Sequence, residues 1–382
     1  MRNYLKQLFG VATCLATWAC GPGSTEQARQ QALPLYDILQ ISEHPDAGHW
    51  SFDLNAKGQL AYAERDDEGN LFASFWTGNQ HLRVARLADQ ESVARIALNV
   101  RGQIAGQGLF GENRFHTFRW DATSGLTELC PLPCADESIA TDLNARGEVV
   151  GVSRRLDQAT PARAVLWQPG RTAEDLHVPG DVFPSLRVNQ AGEVAGTSTV
   201  PQGFEQAFYW SRARGTILLE PSLSFSIASA INSAGQVAGV LGRGTYRGFR
   251  WTPGGALLEF GEQGAIPRAL NSQGNIAGTQ IGVSAGFFWS YRTGLIDVGK
   301  LPGGTYSAAF DLNDRDEIVG EADSSSGSRA VMWTPRTGLL DLNQRLRSPP
   351  PGLVLVSARQ INAQGVIVAF TNENLLVLLI PV

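Results

Sequence analysis

The sequence predicts an all-β protein, a β-propeller of eight four-stranded blades with seven blades as the alternative, and three observations carry that expectation. A short motif recurs along almost the whole chain, each recurrence brings four short strand signals, and no segment has the length and 3.6-residue periodicity of an amphipathic helix. The motif reads LNARGEVVGVS at 143–153, VNQAGEVAGTS at 188–198 and INSAGQVAGVL at 231–241. Its Asn recurs as Asn55, Asn99, Asn144, Asn189, Asn232, Asn271, Asn313 and Asn362, at spacings of 44, 45, 45, 43, 39, 42 and 49 residues. Units of that size with four strands each fit a propeller blade and exclude a helical solenoid.

The first element of each unit is a tight hairpin. The residue three after each Asn is Gly58, Gly102, Gly147, Gly192, Gly235, Gly274, Asp316 or Gly365. Asn at the first position of a turn caps backbone N–H groups with its side chain, and Gly takes the left-handed position that closes it. Asp is among the few other residues that tolerate that position. A small-residue strand such as EVVG, QVAG or NIAG follows, then a polar loop of variable length.

Next comes an aromatic strand ending in Trp: FASFW (72–76), HTFRW (116–120), RAVLW (163–167), QAFYW (206–210), RGFRW (247–251), AGFFW (285–289) and RAVMW (329–333). Trp and the residue before it point to opposite faces, and both faces are often apolar, as in a sheet packed between two neighbours. The Trp is expected to pack between blades, where a large aromatic contributes buried area. A Gly-containing turn leads to a fourth strand, as in GLTELC (125–130), GLIDVG (294–299) and GLLDLN (338–343), and YSAAFDLN (306–313) exemplifies the first strand of the next unit.

The segments flanking the repeats suggest how the ring closes. After the eighth motif, ENLLVLLIPV (373–382) supplies a third strand and leaves no residues for a fourth, while LPLYDILQ (33–40) has the character of the missing strand. Pairing the two would hide a sticky edge, as closed β architectures do. The last spacing is long because RSPPPG (347–352) reads as an inserted loop.

The units resemble the HAF-type extracellular repeats of bacterial proteins: an Asn-x-x-Gly-x-Val-x-Gly turn and strand, an Ala-Phe-x-Trp strand, and a Gly-Leu-x-Asp-Leu-Gly strand with a Gly-Gly loop. GLIDVGKLPGGTYSAAFDLNDRDEIVG (294–320) carries the resemblance best, departing at Asp316, and Tyr62 and Ala369 replace the second Gly in the first and last repeats. The resemblance covers residues 33–382 and implies an exported repeat protein, with no catalytic residues to transfer.

The beginning of the chain reads as an export signal. Arg2 and Lys6 precede the apolar LFGVATCLATWA (8–19), and Ala19 precedes Cys20. This division gives a signal peptide at 1–19, a lipid-attached tether at 20–32 and the propeller at 33–382. The pattern resembles a bacterial lipoprotein signal with Cys20 lipidated, although Thr17 and Trp18 stand where that pattern has Leu and a small residue. Gly21 after the cysteine would by the same resemblance favour an outer-membrane or surface location; secretion or a periplasmic location after cleavage at Ala19 is the alternative. Later apolar runs such as LLVLLIPV (375–382) are too short to span as helices. Cys130 and Cys134 in CPLPC are expected to pair as a disulfide in an oxidising compartment.

Motif matches to known chemistry fail on context. GQGLFG (106–111) fits a dinucleotide fingerprint but is followed by a strand rather than a helix. GVSAG (282–286) fits a nucleophile elbow, yet His44, His49, His81, His116 and His177 all precede it, whereas that fold places its His later. No Cys-Cys pair of the kind used by quinone-dependent propellers is present, and the carboxylates of ERDDEG (64–69) and DRDE (314–317) lack calcium-loop spacing. Neither a cofactor nor a metal is expected. The formal net charge of -5, without organised basic patches, gives no reason to expect nucleic acid.

Binding is expected on the face opposite the Asn turns, where variable loops collect on a rigid scaffold. Phe110, Arg154, Arg155, Arg243 and Tyr246 are the candidate contacts there, together with the central opening. The sequence thus points to a monomeric, non-catalytic envelope propeller that binds a carbohydrate or protein and touches the membrane only through its lipid. The competing expectations are an envelope glycosidase or polysaccharide lyase, and a purely structural component. Carboxylates converging on the central opening would favour the enzyme.

Overall fold

The computed structural model describes residues 34–42, 51–87, 95–111, 114–157, 160–222, 225–262 and 264–382. These form eight antiparallel sheets in a ring, an eight-bladed β-propeller, so the seven-bladed alternative falls away. Blade 7 shows the plan: Ser307–Leu312 lies innermost, Ile318–Ser324 and Gly327–Thr334 follow, and Gly338–Asp341 is outermost. The ring closes as three strands plus one. Leu355–Ile361, Ile367–Thr371 and Leu376–Pro381 make the inner part of blade 8, and Tyr36–Ser42 pairs antiparallel with Leu376–Pro381 as its outer strand. Tyr36, Leu378 and Leu379 are thereby buried. The one helical element among the described residues is a 3-10 turn at Leu342–Arg345.

Blade 4 departs from four strands. Its inner edge is split into Asp181–Val182 and Arg187–Val188, both paired with Val194–Thr199. Pro184 lies in the break, where a residue without an N–H cannot continue the ladder.

The Asn turns form as expected, with φ between 73 and 83° at Gly58, Gly102, Gly147, Gly192, Gly235, Gly274 and Gly365 and 58° at Asp316. Each Asn Oδ1 accepts two backbone N–H groups of its own turn, as Asn144 does from Arg146 and Glu148. Nδ2 does something the local pattern did not announce. It donates to the carbonyl oxygen of the equivalent Asn in the next blade, from Asn55 to Asn99, Asn144, Asn189, Asn232, Asn271, Asn313, Asn362 and back to Asn55, at 2.9–3.2 Å. The second Nδ2 hydrogen goes to the side chain four residues on in six blades: Gln59, Gln103, Glu148, Glu193, Gln236 and Glu317. A buried amide is stable only when its hydrogen bonds are made, and all eight Asn residues are buried.

The core lies between blades. In three blades the residue before Trp meets the next blade's Trp: Phe75 packs on Trp120 at 5.5 Å, Tyr209 on Trp251 at 4.9 Å and Phe288 on Trp333 at 5.3 Å between ring centroids. Arg250 preserves the contact by placing its guanidinium 5.0 Å from the Trp289 ring. The repeat Trp is therefore a packing residue, as its two-faced strand implied.

Candidate functional site: the central channel

The innermost strand of five blades carries a bulge three residues before the Asn. The register slips between Ala140 and Asp142, Ala228 and Ala230, Pro267 and Ala269, Ala309 and Asp311, and Ala358 and Gln360. The inserted residues are Thr141, Ser229, Arg268, Phe310 and Arg359. A bulge re-aims the side chain it carries, and here four of the five reach the central cavity.

The repeat's second glycine makes room for that bulge. A Cβ built on Gly151, Gly239, Gly278 or Gly320 would fall 2.0, 2.0, 2.1 or 1.8 Å from a carbonyl oxygen of the bulged strand, those of Ile139, Ile227, Ile266 and Ala308. Tyr62 stands at this position in blade 1, where Phe52 and Tyr62 pair in unbroken register. Blade 8 keeps its bulge opposite Ala369, in a strand that slips a second time between Leu355 and Ser357.

The cavity measures about 550 Å³ and is lined by Phe52, Arg187, Ser229, Ile266, Pro267, Arg268, Phe310 and Arg359. Phe310 sits between two guanidinium groups, Arg359 at 4.2 Å and Arg268 at 5.5 Å from its ring centroid. Arg359 Nη2 also lies 3.4 Å from Glu321 Oε2. Burial lowers the Arg359 pKa; Glu321 opposes that shift and the neighbouring Arg268 charge adds to it. Arg95 is pushed down to about 10 by burial and by the Arg187 charge. Several cations are thus held close together in partial desolvation, a field that favours an anion.

The channel wall also contains Asp53, Asp142 and Asp311, which occupy the position two before Asn and bind the next blade. Their Oδ2 atoms accept the backbone N–H groups of Leu98, Val188 and Ile361 at 2.8–2.9 Å. Gln360 fills the same role in blade 8, accepting from Leu54 N at 2.9 Å and donating to Asp53 Oδ1 at 2.7 Å. Burial raises Asp53 to about 6 against the hydrogen bonds from Gln360 and Leu98, with Asp142 adding repulsion. Asp311 is raised to about 7, again chiefly by burial. These carboxylates are committed to joining blades, whereas the bulged residues face open space.

The five loop residues singled out from sequence are not gathered into one site. Phe110 ends the strand Ile104–Phe110, pairs with Arg114 and packs against the core between blades 1 and 2. Arg154 is bound to buried Glu137, and Arg155 pairs with Asp157 at 2.8 Å. Tyr246 borders a separate depression of about 510 Å³ with Ile281 and Val283, its ring 5.5 Å from that of Phe225. Arg243 ends the strand Val237–Arg243, and its side chain lies outside the described residues. So do Cys20 and the segments expected to be the signal peptide (1–19) and the tether (20–32).

The expected disulfide does not form: Cys130 and Cys134 are free, exposed thiols. Trp167 Nε1 donates to the Cys130 carbonyl at 2.8 Å, while Cys134 takes a left-handed φ of 67° inside the turn in which Ala135 N donates to Leu132 O at 3.1 Å.

The channel residues could have been found from sequence only by aligning the repeats three positions before each Asn. There Phe52, Arg268, Phe310 and Arg359 stand where a uniform scaffold would repeat one residue type.

No protein-family profile matches the sequence, and no curated protein does. Solved structures do match in shape. A virginiamycin B lyase from Staphylococcus aureus superposes with a TM-score of 0.51 at 9% identity, covering 91% of this chain and 100% of that one. A puromycin-hydrolyzing peptidase from Mycobacterium tuberculosis gives 0.50 at 14% identity, covering 88% of this chain and 60% of that one. At these identities the likeness speaks for the fold alone.

Proposed function

We propose that this chain is a non-catalytic, exported binding propeller whose central channel takes an acidic ligand, a carboxylate-bearing saccharide such as a uronic-acid residue. The observation that carries the reading is the Arg268–Phe310–Arg359 stack with Arg187 across the same cavity. Guanidinium groups bind carboxylates with two parallel hydrogen bonds, and an aromatic face beside them suits the apolar face of a sugar ring. An envelope location rests on the leader: residues 1–19 direct export and Cys20 carries the lipid.

Binding is favoured over glycosidase or lyase chemistry by the employment of the channel carboxylates. Asp53, Asp142 and Asp311 hold backbone N–H groups of neighbouring blades, and a catalytic pair would need carboxylates directed at a bound bond.

A glycan array probed with the protein lacking residues 1–20 tests the proposal, followed by calorimetry on the best acidic and neutral hits. Acidic glycans should dominate, binding should weaken as salt is raised, and Arg268→Ala or Arg359→Ala should each cost about tenfold or more. Equal binding of neutral glycans, or variants that bind as the parent does, would overturn it. Cleavage of an acidic polysaccharide by the parent would establish the enzyme instead.

A further inference from the structure

The strand register of blade 2 gathers three metal-ligating side chains that are scattered in sequence. Arg114–Asp121 pairs with Gly125–Leu129 so that Thr117 faces Leu129 and Phe118 faces Glu128. Carrying this register one residue further sets His116 opposite Cys130. Because side chains alternate along a strand, Glu128 and Cys130 share the face that His116 occupies. The ligand atoms of His116, Glu128 and Cys130 all lie within 4.8 Å of one another, and His116 Nδ1 is 2.6 Å from Glu128 Oε1.

The support around these atoms is rigid. His116 is buried, Cys130 is exposed, and the loop that follows is fixed to blade 3 at two points: Trp167 Nε1 donates to Cys130 O at 2.8 Å, and Leu132 N donates to Ser153 Oγ at 3.0 Å. A buried imidazole and an exposed thiol make a half-open site, reachable from solvent on one side.

We propose that His116 Nδ1, Glu128 and the Cys130 thiolate bind one zinc-class divalent ion, with the fourth coordination position open to solvent. One imidazole, one carboxylate and one thiolate match zinc's preference for mixed nitrogen, oxygen and sulfur ligands, and the thiolate disfavours magnesium and calcium. Ligation releases the thiol proton to solvent and needs the His116 ring proton on Nε2, so that Nδ1 binds as a neutral imidazole nitrogen. The two anionic ligands balance the ion's charge, and Arg114, whose Nη1 is 3.5 Å from Glu128 Oε1, then lies beside a neutral centre.

Cobalt(II) is the direct probe, because a thiolate ligand gives it a charge-transfer band and a tetrahedral site gives intense d–d bands. Titration of the reduced protein should saturate at one equivalent, and zinc should displace the cobalt. Cys130→Ser should abolish the charge-transfer band and Glu128→Gln should weaken binding about 10- to 100-fold, while Cys134→Ser should leave the spectrum unchanged. Cys130 and Glu128 are not core residues, so circular dichroism of both variants should match the parent. Absence of stoichiometric binding, a band that survives Cys130→Ser, or its loss in Cys134→Ser would overturn the assignment. So would purified protein in which both thiols are consumed in a disulfide.

Discussion

Asn362 donates from its Nδ2 to the carbonyl oxygen of Asn55 across 3.0 Å, linking residues separated by 307 positions in the chain. That bond completes a ring of eight identical bonds, so the Asn of each turn both shapes its own hairpin and fastens it to the next blade. Replacing Asn144 by Ala would remove two donors and an acceptor that holds two N–H groups, and leave the Asn189 carbonyl without this bond. The expected cost is about 1–3 kcal/mol, read as a lower urea midpoint with an unchanged slope. A midpoint equal to the parent's would show that the bond contributes nothing.

The one departure from the turn pattern has a partner. Asn275 stands where six other blades place a longer Gln or Glu, and Asp316 of the next blade supplies the missing acceptor, taking hydrogen bonds from both Asn271 and Asn275 at 2.9 Å. Asp316→Gly should therefore destabilise by about 1 kcal/mol even though it restores the repeat and relieves a positive φ. Adding Asn275→Gln should recover the loss, because Gln59, Gln103 and Gln236 accept from their own Asn at 2.7–2.8 Å. Additive effects in the double-mutant cycle would refute this coupling.

Gly320→Ala tests the link between the second glycine and the channel. The new Cβ would meet the Ala308 carbonyl, forcing the bulge that presents Phe310 to move. Overpacking of this kind costs about 1–3 kcal/mol, and a concurrent loss of acidic-ligand binding would follow from displacement of Phe310. Unchanged stability and binding would separate the glycine from the channel.

Asp53 and Asp311, raised to about 6 and about 7 by burial, give a pH signature. Their unfolded-state value is about 3.9, so between pH 4 and 7 the folded protein holds protons that the unfolded chain has released. Their contribution to stability is therefore greatest at the acid end of this window and falls as pH rises through it. Asp323, held below the usual carboxylate range first by the Tyr306 N–H at 2.6 Å, acts oppositely at lower pH. Denaturation of Asp311→Asn between pH 4.5 and 7.5 should show a flatter dependence than the parent. An identical slope would mean that Asp311 titrates normally.

Removing residues 1–42 deletes the strand Tyr36–Ser42 and exposes the edge Leu376–Pro381, an unpaired apolar strand. The truncated protein should associate, an outcome visible by light scattering, whereas one that remains monodisperse would show that closure is dispensable.

Blade number, strand order and closure were legible in the sequence because each blade buries the same two faces and needs the same turn, so its pattern repeats locally. The Asn turn was read correctly as a cap, yet its second role was invisible there, since the acceptor lies 39–49 residues away, or 307 at the closure, and is a backbone atom of another copy. Two of the loop candidates, Arg154 and Phe110, are engaged by Glu137 and by the core, contacts that their loops do not display in the sequence. Which side chains converge on the axis was decided only in the tertiary structure, because Phe52, Arg187, Arg268 and Arg359 come from four blades and meet through ring closure and strand bulges. His116 and Cys130 likewise become neighbours through strand register, which the hairpin sets and no linear spacing displays.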